Sequence, residues 1–196
     1  MIPTLIILVA YLIGSIPFGL VGKVFFKMQD PRTFGSKNIG ATNILRSGNK
    51  KAAAFTLFFD MFKGFLVVLI ASYIDKDLVY MAILSVVFGH IFPIYLLFRG
   101  GKGVATFLGA MLSYSSVVGS LTLLIWIFVF YLTKKSSLAG ISAVASSNFF
   151  LFLFCDDIPV KFSALLLSMF ILFKHLENIK RLLKKEELSF EGRDQN

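Results

Sequence analysis

The chain has 196 residues, 57% of them hydrophobic and only 16% charged, with a mean hydropathy of +0.80. Soluble domains carry roughly 25% charged residues, so this composition excludes an ordinary soluble domain and points to the membrane. The net charge of +9 then records loop charges that set topology and meet anionic lipid or substrate, not nucleic acid. The single cysteine, Cys155, excludes an intrachain disulfide and a cysteine-rich metal site.

The first apolar run, 2–22, is long enough to span, since ~20 apolar residues cross a bilayer core. No Lys or Arg precedes it and the first is Lys23, which does not fit a cleaved signal peptide. Gly14, Pro17 and Gly19 lie inside it, all tolerated in membrane helices. A polar segment, 23–51, follows. Further spans are predicted at 52–74 and 78–98, then Arg99 to Gly103, then 104–133 without a charge. Lys134 and Lys135 precede a span at 136–155, Asp156 and Asp157 a last one at 160–175.

The stretch 104–133 has 30 residues. At ~1.5 Å each it is long for one crossing and short for two. Charge decides between them. A single crossing would reverse the positive-inside rule for everything after it. A turn near Ser113 to Ser116 keeps seven Lys/Arg of 23–51, then Arg99, Lys102, Lys134, Lys135 and the six basic residues from Lys174 onward on one side. Only Lys76 and Lys161 then lie outside, with Lys63 inside a span. The expectation is an all-α membrane protein, one polytopic domain over 1–196. It has seven transmembrane helices, N-terminus outside and C-terminus cytoplasmic, with spans four and five short and protected by neighbours. No internal repeat or inverted pair of halves favours a secondary transporter.

Three polar clusters carry the chemistry. Gly35-Ser36-Lys37-Asn38-Ile39-Gly40-Ala41-Thr42-Asn43, with Arg46, combines glycines that let backbone N–H groups converge with short donors and a guanidinium fork suited to phosphate. A flexible turn-rich loop would share this composition, but a loop of roughly 25 residues in a small compact protein is more often functional. Arg99-Gly100-Gly101-Lys102-Gly103 resembles a phosphate cradle without the Walker A spacing, and topology alone would also explain it. In Lys174-His175-Leu176-Glu177-Asn178, His175 and Asn178 share a helix face; a plain interfacial anchor is the alternative. Asp60 and Lys63 read as an internal ion pair that orients span two, and His90 as support for the turn before Gly100. The tail 176–196 reads as an amphipathic helix on an anionic leaflet with no catalytic role. No carboxylate–histidine cluster offers a metal site, no Gly-x-Ser-x-Gly a nucleophile, and neither histidine has an aspartate five residues on. An enzyme built this way would position a substrate nucleophile and stabilise charge.

The three clusters in order resemble the bacterial acyl-phosphate:glycerol-3-phosphate acyltransferases of the PlsY type. The family pattern Gly-Ser-x-Asn-x-Gly-Ala-Thr-Asn, with an Arg three residues on, matches Gly35 to Asn43 and Arg46. Gly-Gly-Lys-Gly matches Gly100 to Gly103, and His-Arg-x-Asn-Ile matches His175 to Ile179 with one change. The resemblance implies a seven-span bacterial inner-membrane protein. It would transfer an acyl group from acyl-phosphate to the 1-hydroxyl of glycerol-3-phosphate, giving lysophosphatidic acid and phosphate in the first acylation step of phospholipid synthesis. It implies Lys102, His175, Ser36, Arg46 and Asn178 as catalytic. Phosphate binding would fall to Gly35, Ser36, Asn38, Gly40, Thr42, Asn43, Arg46, Gly100, Gly101, Lys102 and Gly103. No metal or cofactor is implied. The partners would be the two substrates, membrane lipid and the enzyme that makes acyl-phosphate, not nucleic acid. Two positions depart: Lys37 replaces a glycine and Leu176 an arginine. If position 37 needs a positive φ, a lysine costs ~1–2 kcal/mol there. A flippase for a phosphorylated metabolite and a lipid-recruiting structural protein are the competing classes. The first leaves short, polar-poor outer loops unexplained and the second the ordered glycine motifs.

Overall fold

The computed structural model describes residues 2–189, the side chain of Ile2 excepted, and every regular element among them is helical. The elements are α1 (Ile2–Ser15), α2 (Phe18–Phe25), α3 (Ala41–Leu45), α4 (Lys50–Ile74), α5 (Val79–Ile91), α6 (Val104–Tyr114), α7 (Ser116–Thr133), α8 (Ser136–Phe154), α9 (Ile158–Lys174) and α10 (Leu176–Leu183). Short 3₁₀ turns, Lys76–Leu78 and Ile94–Leu96, flank α5. Among the described residues four helical stretches are long and apolar enough to cross a membrane singly, and two bent pairs qualify when joined. Phenylalanine and leucine side chains such as Phe58, Leu124, Phe128 and Phe152 cover the outside of the bundle. A surface of this kind is stable in lipid and not in water.

The first span is not the single helix expected over 2–22. It breaks at Ile16–Pro17, and α1 and α2 meet at 42°. Pro17 has no N–H to continue the ladder. The Ile16 carbonyl freed by the break accepts a hydrogen bond from Lys63 Nζ at 2.9 Å, so a neighbouring helix satisfies the exposed backbone group. Lys63 Nζ also lies 2.8 Å from Asp60 Oδ1, and both side chains are buried. The expected ion pair of span two is present, and it stitches α4 to the break in the first span. The third span likewise ends its α-helix early. Pro93 follows Phe92, whose carbonyl accepts the Tyr11 hydroxyl at 2.7 Å.

The stretch 104–133 forms two helices. Ser115 is extended (φ −145°, ψ 111°) and caps α7 by accepting the Val118 N–H. A Cβ on Gly119 would overlap the Leu112 backbone, so α6 and α7 lie against each other across this turn. Gly103 and Ser137 line one cavity, while Tyr114 at the turn and Cys155 at the other end of α8 pack against the same apolar cluster and interact. The chain therefore leaves the cavity end and returns to it between them. α6 has 11 residues, about 16 Å of helix, roughly half a bilayer core. Thr106 to Met111 are buried among the other helices, as expected for a short segment. The fifth segment differs from expectation: α7 has 18 residues and is the least buried of the long spans. Gly64 and Gly109 let α4 and α6 touch backbone to backbone, because a Cβ on either would overlap the other helix's main chain.

The tail also differs from the sequence reading. α10 is an amphipathic helix of 8 residues, set at 60° to α9. The chain then turns back on itself, and Glu187 is buried with 7% of its surface exposed. Residues 190–196 of the expected tail helix lie outside the described residues.

Lys37 has φ +57°, the left-handed region. Its side chain is exposed, so nothing in the fold compensates its Cβ, and the ~1–2 kcal/mol cost applies. Lys37→Gly regains part of this, offset by the larger entropy of an unfolded glycine. The expected gain of about 1 kcal/mol appears as a thermal midpoint in detergent raised by about 2–4 °C. A lower midpoint would contradict it.

Candidate active site

A cavity of about 290 Å³ opens at the end of the bundle that carries loops 26–40 and 99–103, the start of α8 and the α9–α10 junction. Its polar wall includes Ser36, Asn38, Gly40, Thr42, Asn43, Arg46, Lys102, Gly103, His175 and Asn178. Its apolar part is a slot formed by Leu57 and Met61 of α4, Leu108 of α6, and Leu123, Trp126 and Ile127 of α7. Of the residues expected to bind phosphate, Gly35, Gly100 and Gly101 are not in the lining. They shape the loops instead. Gly35 has φ +56°, and a Cβ there would overlap the Asn43 side chain; a Cβ on Gly101 would overlap the His90 ring.

Asn43 organises the first loop from inside. Its Oδ1 accepts the Ser36 N–H at 2.8 Å, and its Nδ2 donates to the carbonyls of Pro31 (2.7 Å), Asn38 (2.9 Å) and Phe34 (3.2 Å). The loop has little secondary structure of its own, so one buried amide supplies what a strand ladder would otherwise supply. Ser36 is carried on this frame at the cavity wall.

The second and third clusters are joined directly. Lys102 Nζ donates to Asn178 Oδ1 at 2.6 Å. Asn178 Nδ2 donates to Glu187 Oε1 at 2.6 Å, and that oxygen also accepts the Ser137 hydroxyl at 2.7 Å. Glu187 Oε2 accepts Arg181 Nε at 2.8 Å. Arg46 spans to the same tail and donates to the Leu188 and Ser189 carbonyls at 3.1 and 3.3 Å. Burial works against the Glu187 charge, but the bonds from Ser137, Asn178 and Arg181 outweigh it and hold its carboxyl below the usual range. Burial, aided by the positive Arg181, Arg46 and Lys174, pulls the Lys102 ammonium down to about 8.

His175 lies just past the end of α9. Its Nδ1 is 2.7 Å from the Ile171 carbonyl. A carbonyl oxygen only accepts, so Nδ1 carries the proton and the neutral ring leaves Nε2 bare. Burial, then the Lys102 charge, pushes the imidazole down to about 4, which keeps that neutral form at physiological pH. Leu176, which replaces the family's arginine, is 45% exposed and outside the lining, so any phosphate contact an arginine would make there is lost.

Residues 4–185 match the family model described as glycerol-3-phosphate acyltransferase. The chain belongs to the glycerol-3-phosphate acyltransferase family. Relatives of that name from Bartonella quintana and Methylobacillus flagellatus are 42% and 43% identical, over 96% and 94% of this chain and 93% and 95% of theirs. The fold is similar to that of PlsY (YgiH), an integral membrane glycerol 3-phosphate acyltransferase, solved in its glycerol 3-phosphate form. The TM-score is 0.91 at 38% identity, with 96% of each chain covered. The lysophosphatidic acid form gives a TM-score of 0.87 at 37% identity, covering 96% of this chain and 95% of that one. This acyltransferase is thus a multi-pass membrane protein of a bacterial family, and its activity belongs to phospholipid synthesis.

The sequence reading assigns other roles to three features in and around the cavity. Asp60, read from the chain as half of an ion pair, and His90, read as support for a turn, both line the cavity. Glu187, read as part of a surface tail, is bonded to Ser137, Asn178 and Arg181. A charged residue inside a span carries a signal by itself, since intramembrane charge is a functional candidate by default. Glu187 carries none: it sits in a run of charged residues that reads as solvated.

Proposed function

We propose that the acyl donor is an acyl-phosphate and the acceptor the 1-hydroxyl of glycerol-3-phosphate, with lysophosphatidic acid and inorganic phosphate as products. One observation carries this reading: Lys102, Arg46 and a neutral His175 converge on a cavity whose other half is an apolar slot between helices. That junction matches a substrate pair with phosphate heads and one fatty chain. The glycerol 3-phosphate and lysophosphatidic acid forms of the solved relative support it.

In this reading the acyl chain lies against Leu108 and Trp126, and the phosphates face Arg46, Lys102 and the first loop. His175 Nε2 accepts the glycerol hydroxyl proton in a hydrogen bond and aims the oxygen at the acyl carbon. As the new C–O bond forms, the bond from that carbon to the phosphate oxygen breaks and its electron pair leaves with phosphate. Lys102 and Arg46 neutralise the departing oxygens. An imidazole pushed down to about 4 is a weak base. A substrate phosphate, with a second pKa near ~6, is the better acceptor, so the proton ends on phosphate and atoms balance. Ser36 and Asn178 position substrate and lysine, and Asn38, Gly40, Thr42 and Gly103 complete the anion wall on the frame that Asn43 holds.

We read the chain as one domain of seven crossings in the bacterial inner membrane, N-terminus outside, with the active site at the cytoplasmic face where acyl-phosphate is made. A cysteine placed at Ser115 should then label from outside; labelling from the cytoplasm alone sinks this topology. The decisive assay follows phosphate release from acyl-phosphate with glycerol-3-phosphate and purified protein. No release above a heat-treated control, with the fold verified, overturns the reading, and a preference for acyl-coenzyme A overturns the donor.

The electrostatics predict a basic limb in the pH profile. Lys102 must be charged to act. With its pKa down to about 8, kcat/KM falls as pH rises through that value. Bound phosphate favours the charged form, so the limb of kcat lies higher. Lys102→Arg retains its charge, since a guanidinium pKa exceeds ~12, and its remaining activity loses the limb. A limb unchanged in that variant would show that another group titrates.

A further inference from the structure

The chain of contacts behind Lys102 runs from the cavity wall at His90 and Asp60 into the fold. The Ile16 carbonyl, freed by the break before Pro17, holds Lys63 Nζ. Lys63 holds Asp60, and His90 Nδ1 lies 3.4 Å from the same Asp60 Oδ1. At that distance the contact is electrostatic, and a carboxylate beside Nδ1 favours the proton on that nitrogen. The other edge of the ring lies against Gly101, where a Cβ would overlap Nε2 and its flanking carbons. The backbone adds two bonds. α5 ends at Ile91, which leaves its last carbonyls without helical donors. His90 O accepts the Gly101 N–H at 3.1 Å and Ile91 O accepts the Gly100 N–H at 3.2 Å. Lys102 is the next residue and donates to Asn178.

We infer that the buried Lys63–Asp60–His90 relay is a positioning device for the reaction: His90 is the platform that fixes Gly101 and thereby aims Lys102 Nζ. The inference rests on the assignment of Lys102 to the active site. Glycine at 101 is then required by the imidazole beside it, which leaves no room for a Cβ.

Two double-mutant cycles on the purified full chain test this, with thermal midpoints in detergent as the check on folding. Gly101→Ala is expected to lower kcat at least 30-fold in the natural background and no more than threefold in His90→Ala, where the ring has left room for the methyl. His90→Ala is expected to lower kcat at least tenfold alone and no more than twofold in Lys102→Ala. Equal effects of Gly101→Ala in both backgrounds, or of His90→Ala in both, overturn the inference; so does a fully active His90→Ala. If His90→Ala does not fold, His90→Asn replaces it. That variant keeps a donor to Asp60 without the ring edge, and the same outcomes decide. Near-normal turnover in Lys102→Ala would instead remove Lys102 from the site and overturn the functional reading beneath.

Discussion

Lys102→Ala should lower kcat/KM by about 10²–10³-fold, the loss seen when one preorganised charge-stabilising donor is removed. The effect is expected in kcat more than in KM for glycerol-3-phosphate, because in the proposed reaction the charge that Lys102 meets grows as phosphate departs. Stability should change little. The lysine makes one hydrogen bond, to Asn178 Oδ1. Leaving that oxygen without a donor costs ~1 kcal/mol, and removal of a half-buried charge offsets part of it. The thermal midpoint should fall by no more than about 4 °C. Steady-state phosphate release and a melt of the same preparation measure both. Turnover within threefold of normal would show that the ammonium does not meet the leaving group.

The second large effect is expected at a residue that does no chemistry. Asn43 makes four hydrogen bonds that hold 31–38 in place. Each such bond contributes ~1 kcal/mol net, so Asn43→Ala removes about 3 kcal/mol from a loop with little else to hold it. The loop should open, carrying Ser36 off the cavity wall, and kcat/KM should fall at least ~10²-fold, the scale expected when a site is misplaced by ~1 Å. Asn43→Asp should be no better. Its carboxylate still accepts from Ser36, but its second oxygen faces the Pro31, Phe34 and Asn38 carbonyls where an amide donor stood. Limited proteolysis within 30–40 together with kinetics separates an opened loop from a lost substrate contact. Normal activity in Asn43→Asp would contradict the loop architecture.

The candidate site was legible in the chain to an unequal degree. Arg46, Lys102, His175 and Asn178 stand out because charged or amide groups beside apolar spans, in glycine-rich settings, have few structural reasons to exist. The three clusters do meet, with Lys102 on Asn178 as the contact between two of them. The role of the glycines was not legible. Gly100, Gly101 and Gly103 look alike in sequence, yet only Gly103 reaches the cavity. What separates them is the neighbouring His90 ring and carbonyl, which belong to another element. Asp60 was legible as a paired charge, because its lysine is one helical turn away. Its contact with His90 was not, because 30 residues and a change of helix intervene.

The bilayer explains how much the sequence determined on its own. In hydrocarbon no water satisfies the backbone, so most of its groups bond within their own helix, and apolar runs and charge breaks determine the helices largely without reference to partners. The loop charges, through the positive-inside rule, place 103 and 137 at one end, and the cavity unites them. Tertiary structure decided what depends on contact between segments. It broke the first span at Pro17, because Lys63 was there to receive the free carbonyl. It made α6 short and buried and left α7 to face lipid, although neither carries a charge. And it folded the tail inward, because Ser137, Asn178 and Arg181 together offer Glu187 more than water does. A charge is kept out of water only by several partners at once, and such partners come together in space from distant places in the chain.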